Sequence, residues 1–135
     1  MEKVRNLYIE KFGCEPQAVV RLTGDGSNRV YFRIIGDVPV MAAVGTSVEE
    51  NRAFVALSKA FIEAGVAAPE VLAVSDDELC YLQEDLGDLT LYGALSAARE
   101  KGVFEACDTR LLCHVMSQLP KIQFAVPSHF DFSYC

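Results

Sequence analysis

The stretch AVVRLTGDGSNRVYFRIIGDVPVMAAVGTSVEENRAF, residues 18–54, carries the reading of the fold. Two runs rich in Val, Ile, Tyr and Phe, 18–22 and 30–35, read as strands. The polar loop Thr23-Gly24-Asp25-Gly26-Ser27-Asn28-Arg29 joins them, Gly36-Asp37-Val38-Pro39 makes a turn, and 40–44 is a third strand. The apolar spacing then becomes helical. Ser47-Val48-Glu49-Glu50 fits a capping box, in which the Ser47 hydroxyl takes the Glu50 amide and Glu50 reaches back. Phe54, Leu57, Phe61 and Ala64 fall on one face of the helix that follows. Gly65 stops that helix, and Pro69 prevents its resumption.

Upstream, residues 3–12 place Val4, Leu7, Tyr8 and Phe12 at helical spacing, and Gly13 ends the pattern. Downstream, 71–74 and 79–83 are strands. The short acidic turn Ser75-Asp76-Asp77-Glu78 between them predicts an antiparallel hairpin. Gly87-Asp88 breaks the strand pattern, and Asp88 is placed to cap a helix over 89–101 that closes at Gly102. A last helix over 108–124 carries the stripe Leu112, Val115, Leu119 and Ile122, with a kink expected at Pro120. The order predicts an α+β fold: a five-stranded antiparallel sheet with one helix inserted after the third strand, followed by helices only. Strands are expected near 18–23, 30–35, 39–44, 71–75 and 79–84. The helix at 47–64 is expected to set Phe54, Leu57 and Phe61 on the sheet.

With 135 residues and 51% hydrophobic content, the chain suits one modest ordered domain. Twelve basic against nineteen acidic residues give a net charge of −7, with no basic patch to hold nucleic acid and no polybasic membrane anchor. No window approaches the ~18 apolar residues of a membrane span, and the charged start is not followed by the apolar run of a secretory signal. Neither a nucleic acid nor a membrane is expected as a partner. The five cysteines are odd in number and form no CxxC pair, which points to free thiols and a cytoplasmic location. Cys113 and His114 are adjacent, but helix neighbours point in different directions and no second ligand pair stands nearby, so no metal site is expected.

LTGDGSNRVYFRI (22–34), VEENRAF (48–54), APEVLAV (68–74) and YLQEDLGD (81–88) together resemble the aminoglycoside phosphotransferase superfamily. More narrowly they resemble its bacterial sugar-kinase-like branch, whose members phosphorylate amino sugars. The resemblance spans about residues 18–124 and rests on the order and spacing of the motifs. It implies a protein-kinase-like fold in two lobes with ATP in the cleft, the smaller lobe being a five-stranded sheet plus one helix. Residues 1–86 would be the nucleotide-binding small lobe. Residues 87–135 would be the linker and first helices of an incomplete larger lobe.

The resemblance also implies roles. Glycines let the Gly24-Asp25-Gly26-Ser27-Asn28 backbone approach a ligand, and successive amides there can hold phosphate oxygens. Ser27 would sit over the ATP phosphates, although an ordinary hairpin turn favours the same residues. The backbone of Gln83, Glu84, Asp85 and Leu86 would meet the adenine edge; a plain linker capped by Asp88 is the other reading. Glu50 stands where kinase-like folds put a helix glutamate that pairs with a strand-three lysine. Its capping role is the simpler reading, and Glu49 is an alternative equivalent. Strand three here, Val40-Met41-Ala42-Ala43-Val44, has no lysine. Arg29 and Arg33 are the candidate substitutes.

His129-Phe130-Asp131 spells the HxD of a catalytic loop but arrives too early in the chain, so no catalytic residue is assigned. The implied activity of the full-length protein is ATP-dependent phosphoryl transfer to a hydroxyl of a sugar, amino sugar or aminoglycoside. Mg2+ ligands are expected outside this chain, and the fragment alone is expected to be inactive. The rival readings are a non-catalytic, pseudokinase-like nucleotide-binding module and an unrelated α+β binding domain. The apolar stripes of the two C-terminal helices (Leu91, Leu95, Leu112, Val115, Leu119, Ile122) predict self-association through 89–124.

Overall fold

A computed structural model describes residues 1–23 and 28–134. Helix α1 (Glu2–Phe12) precedes strands β1 (Ala18–Arg21), β2 (Val30–Ile35) and β3 (Val40–Val44). Helix α2 (Val48–Glu63) separates these from β4 (Val71–Val74) and β5 (Cys80–Glu84). Three helices follow: α3 (Leu91–Ala94), α4 (Ser96–Lys101) and α5 (Ala106–Met116). The five strands form one sheet in the order β1-β2-β3-β5-β4, with every neighbouring pair antiparallel. The class is the α+β arrangement that the alternation predicts.

One face of the sheet is the main core. Alternate residues of a strand point to opposite faces, so Phe32 and Ile34 of β2, Val40 and Ala42 of β3, and Cys80 and Leu82 of β5 point the same way. Val4, Leu7 and Tyr8 of α1 cover them. Gly13 closes α1 in the left-handed region at φ 70°, its amide donating to the Ile9 carbonyl at 2.7 Å. Burial pushes the Cys80 thiol up to about 11, which leaves it protonated and unreactive.

The opposite face meets α2, and of the expected stripe Phe54 stacks on the sheet. The residues turned to the sheet side are Asn51, Phe54 and Ser58, spaced i, i+3, i+7. Phe54 stacks on Tyr81 of β5 with ring centroids 4.9 Å apart. Asn51 is buried and donates to the Glu78 carbonyl at 2.8 Å, while the buried Ser58 hydroxyl donates to the Pro69 carbonyl at 2.6 Å. Leu57 and Phe61 pack in a cluster with Ala60, Val66, Ile122, Val126 and Phe130. Two polar side chains occupy the sheet side because the ends of the β4–β5 hairpin present carbonyls there that need donors. Gly45 lets the backbone come this close: a Cβ on it would meet Asn51 Oδ1 at 2.6 Å.

The cap of α2 differs in one detail. The Glu50 amide donates to Ser47 Oγ at 3.2 Å as predicted, but Glu50 does not reach back. The Ser47 hydroxyl donates instead to the Glu49 carboxylate at 3.0 Å. This contact, with the Glu49 backbone amide as the larger cause, holds the Glu49 carboxyl below its usual range.

The β4–β5 turn is tied from both sides. Arg52 grips the Glu78 carboxylate with two hydrogen bonds of 2.6 and 2.5 Å, and Glu78 is held at φ 56°. Asp77 pairs with Lys3 of α1 and accepts from the Ser75 hydroxyl at 2.7 Å and the Leu79 amide at 3.2 Å. These contacts, Lys3 first, bring the Asp77 carboxyl down from 3.8 to about 2. A carboxylate with a depressed folded-state pKa stabilises fully above its unfolded value and ceases to do so as pH falls through the folded one. Asp77→Asn is therefore expected to flatten the fall in urea midpoint between pH 4 and pH 2. Titration curves of equal slope for variant and parent would refute this.

The C-terminal region departs most from the sequence reading. Asp88 does not cap a helix. Thr90 does, accepting the Gly93 amide at 3.0 Å, and the expected 89–101 helix is divided into α3 and α4. The expected 108–124 helix ends at Met116, and Pro120 opens a separate wide turn, Lys121–Ala125, followed by a short 3-10 turn, Val126–Ser128. Pro lacks the amide that would bond back to residue 116 and crowds the preceding turn, so it ends the regular helix rather than kinking it. No residue of α5 is buried. Leu95 is buried, whereas Leu91, Val115 and Leu119 remain exposed.

Candidate functional site

Six side chains share the sheet face opposite α1. They form two rows across the central strands. Tyr31 of β2, Ala43 of β3 and Tyr81 of β5 stand in register, as do Arg33, Met41 and Gln83. The second row lies where β5 leaves the sheet, and the first lies beneath α2. Ala43 and Tyr81 are fully buried. The Tyr81 phenol is pushed up by burial, and its hydroxyl lies near Tyr31 without an aligned hydrogen bond.

Arg33, one of the two candidate substitutes for a strand-three lysine, pairs with the linker after β5. Its Nη2 donates to Asp85 Oδ1 at 3.0 Å, its Nε lies 2.6 Å from Asp85 Oδ2, and its Nη1 donates to Asp88 Oδ1 at 2.7 Å. The hydrogen bonds that Arg33 donates to Asp88 and Asp85, in that order, raise its pKa further. Asp85 also accepts the Gly87 amide at 2.9 Å, which folds the linker back on itself. Glu84 clasps the entrance to β4: its carboxylate accepts the Glu70 amide and its own amide donates to the Glu70 carbonyl, both at 3.0 Å. Leu86 is exposed. Gln83 Oε1 is buried and has no hydrogen-bond partner, an acceptor left over beside the linker.

Arg29 takes a different position. Its Nη2 donates to the Glu50 backbone carbonyl at 3.0 Å, and its guanidinium carbon lies 5.3 Å from the centroid of the Phe54 ring. Arg29 and Glu50 together rim a largely apolar cavity of about 710 Å³ between α2 and the segment 122–132. Asn28 is exposed. Gly24, Asp25, Gly26 and Ser27, named as the phosphate loop, lie outside the described residues. The structure thus gathers Gln83, Glu84 and Asp85 around the linker and Arg29 and Glu50 around the start of α2. The two groups are joined by the two rows of side chains.

His129-Phe130-Asp131 is held against α2 and does not face either row. His129 Nδ1 lies 3.6 Å from Glu63, Phe130 packs in the α2 cluster, and Asp131 accepts the Ser133 amide at 2.9 Å. That last bond lowers the Asp131 pKa. A second cavity, of about 650 Å³, lies beside these residues and the outer face of α2. Among the described residues no group of three His, Cys, Asp or Glu side chains converges to hold a metal ion, and no helix is long and apolar enough to cross a membrane.

Sequence reading missed the Arg33–Asp85–Asp88 cluster and the Tyr31–Ala43–Tyr81 row. Alternation in VYFRII put Arg33 and Tyr31 on one face, but which residues oppose them depends on the register of three strands. No family model matches the chain, and no curated protein does.

Proposed function

We propose that this chain is the ATP-binding lobe of a cytoplasmic small-molecule phosphotransferase that acts on a hydroxyl of a sugar, amino sugar or aminoglycoside. The observation that carries the reading is the linker after β5, fixed at the edge of the sheet face opposite α1 by Arg33. A nucleotide base needs a stiff extended segment at the mouth of a cleft, with backbone amides and carbonyls at fixed positions. The Arg33–Asp85 pair supplies that stiffness, and the unpartnered Gln83 Oε1 adds an acceptor suited to an exocyclic amine. Magnesium would bridge the phosphates and neutralise charge developing on transfer. The described residues offer no ligand set for it, so phosphoryl transfer itself is assigned to none of them.

The test is chemical-shift mapping with ATP. Resonances of residues 83–86 and of the loop 24–28 are expected to move together on titration, with weak affinity. A titration that moves neither segment would remove this reading. A non-catalytic nucleotide-binding module is the second reading, favoured by the absence of lysine from Val40–Val44. It shares the binding test and differs in predicting no transfer by any longer protein that contains this lobe.

A further inference from the structure

The sheet ends at β4. This strand pairs with β5 on one side, and among the described residues no hydrogen bond reaches the backbone of Val71–Val74 from the other. An open strand edge presents amides and carbonyls in a row, and what satisfies them is another extended backbone. The edge is not bare. Helix α2 lies beside it and leaves a groove of about 540 Å³ against β4. Val55 and Ile62 line the helix wall of the groove, Val71 and Val74 its strand wall, and Ile62 and Val74 are exposed. Directed hydrogen-bonding groups thus stand next to an apolar trough that every second side chain of an added strand can enter.

Charge decides between occupants. Glu70 precedes the strand and Asp76 follows it. Both are exposed, and neither carboxylate has a hydrogen bond or ion pair among the described residues. The Glu84 carboxylate, held on the Glu70 amide, adds to the first end. Lys59, the one basic side chain on the groove wall among the described residues, is offset by Glu63 at 3.9 Å. A second copy of the chain fits this edge badly. Antiparallel pairing of two β4 strands brings Glu70 of each copy to the Ser75–Asp76 end of the other, carboxylate towards carboxylate. A strand with a basic residue at each end meets opposite charge at both.

We propose that the β4 edge, with its groove against α2, takes an extended segment of another protein: about six residues of alternating β-branched side chains, spanning about 20 Å, with a Lys or Arg at each end. Main-chain bonds to β4 supply the affinity, side chains entering the groove fix the register, and the terminal cations supply the selectivity. The nucleotide reading is not needed for this surface, and ATP is absent from its test.

The experiment is an NMR titration of the whole chain with the end-capped synthetic peptide Lys-Val-Thr-Val-Thr-Val-Lys. Amide resonances of residues 71–74 are expected to move most. The same peptide with Glu at both ends is expected to bind about tenfold more weakly, the scale of two exposed charge pairs, and added salt is expected to narrow the gap. Glu70→Lys combined with Asp76→Lys is expected to reverse the preference; neither side chain is bonded within the chain, so the variant keeps the fold. A Lys-ended peptide with alternate amides N-methylated, which cannot pair as a strand, is expected not to bind. The proposal is overturned if the Lys-ended peptide does not bind, if its largest shifts fall outside 70–76, or if the Glu-ended or N-methylated peptide binds as well. A dimer of the parent chain in sedimentation, with the β4 amides already protected from exchange, overturns it too and gives the edge to a second copy.

Discussion

Tyr8→Ala is expected to destabilise the chain by about 3–5 kcal/mol, as for other large-to-small changes of buried aromatics. A domain of this size has only about 5–15 kcal/mol in hand, so the variant should sit at or near the unfolding threshold at room temperature. Tyr8 is fully buried and spans the core between α1 and the sheet. Its ring contacts Phe12 at 4.8 Å, and its hydroxyl donates to the Val38 carbonyl at 3.1 Å. That hydroxyl lies over the Gly36 backbone so closely that a Cβ there would meet it at 2.5 Å. The other buried residues of α1, Val4 and Leu7, are already packed on the sheet and cannot fill the space. Urea denaturation followed by circular dichroism measures the loss. Tyr8→Phe, which keeps the ring, is expected to cost about 1 kcal/mol. Equal loss in both variants would mean that the hydroxyl, not the packing, holds α1.

Ala43→Lys is expected to cost about 3 kcal/mol or more. Two effects add. Overpacking the space between Tyr31 and Tyr81 forces both rings off their positions, typically about 1–3 kcal/mol. Burying an ammonium at a fully covered site, on the same face as Arg29, adds a desolvation and repulsion term of similar size. Ala43→Ser, small and able to bond locally, is the control and should cost much less. Thermal melts of the three proteins compare them directly. If Ala43→Lys melts with the parent, the row has room for a long cationic side chain, and the enclosure of Ala43 by its neighbours is wrong.

Much of this was legible in the residues. The strands appear within one or two residues of the expected limits, because VYFRII and CYLQE are short apolar runs that carry β-branched or aromatic side chains. The stop at Gly13, the cap at Ser47 and the left-handed end at Gly102 were all local and all readable. Errors arose where a local rule had a distant competitor. Asp88 has the chemistry of a helix cap, but Arg33, 55 residues earlier, takes its carboxylate. Leu57 and Phe61 belong to the apolar stripe of α2, yet Asn51 and Ser58 are turned to the sheet side with Phe54, because the carbonyls of Glu78 and Pro69 need donors. The run 108–124 has helical spacing throughout, and the missing proline amide still ends it.

The candidate site divides along the same line. That Tyr31 and Arg33 share a face follows from a period of two within β2 and is legible in the residues alone. Their different tasks are not. Whether an arginine meets a linker aspartate or a helix carbonyl depends on which residues the β2–β3–β5 register sets opposite it and on where α2 crosses the sheet. By itself the sequence determined the order of elements, the five antiparallel strands and the two-faced sheet, since propensity, alternation and turn chemistry act within a few residues. Only the tertiary structure decided which carboxylates each arginine holds, which face of α2 is inward and that Ala43 is enclosed by two tyrosines. Those outcomes are set by pairings between residues far apart in the chain, such as Arg33 with Asp88 across 55 positions, where competing partners of the same chemical type differ only in where the fold puts them.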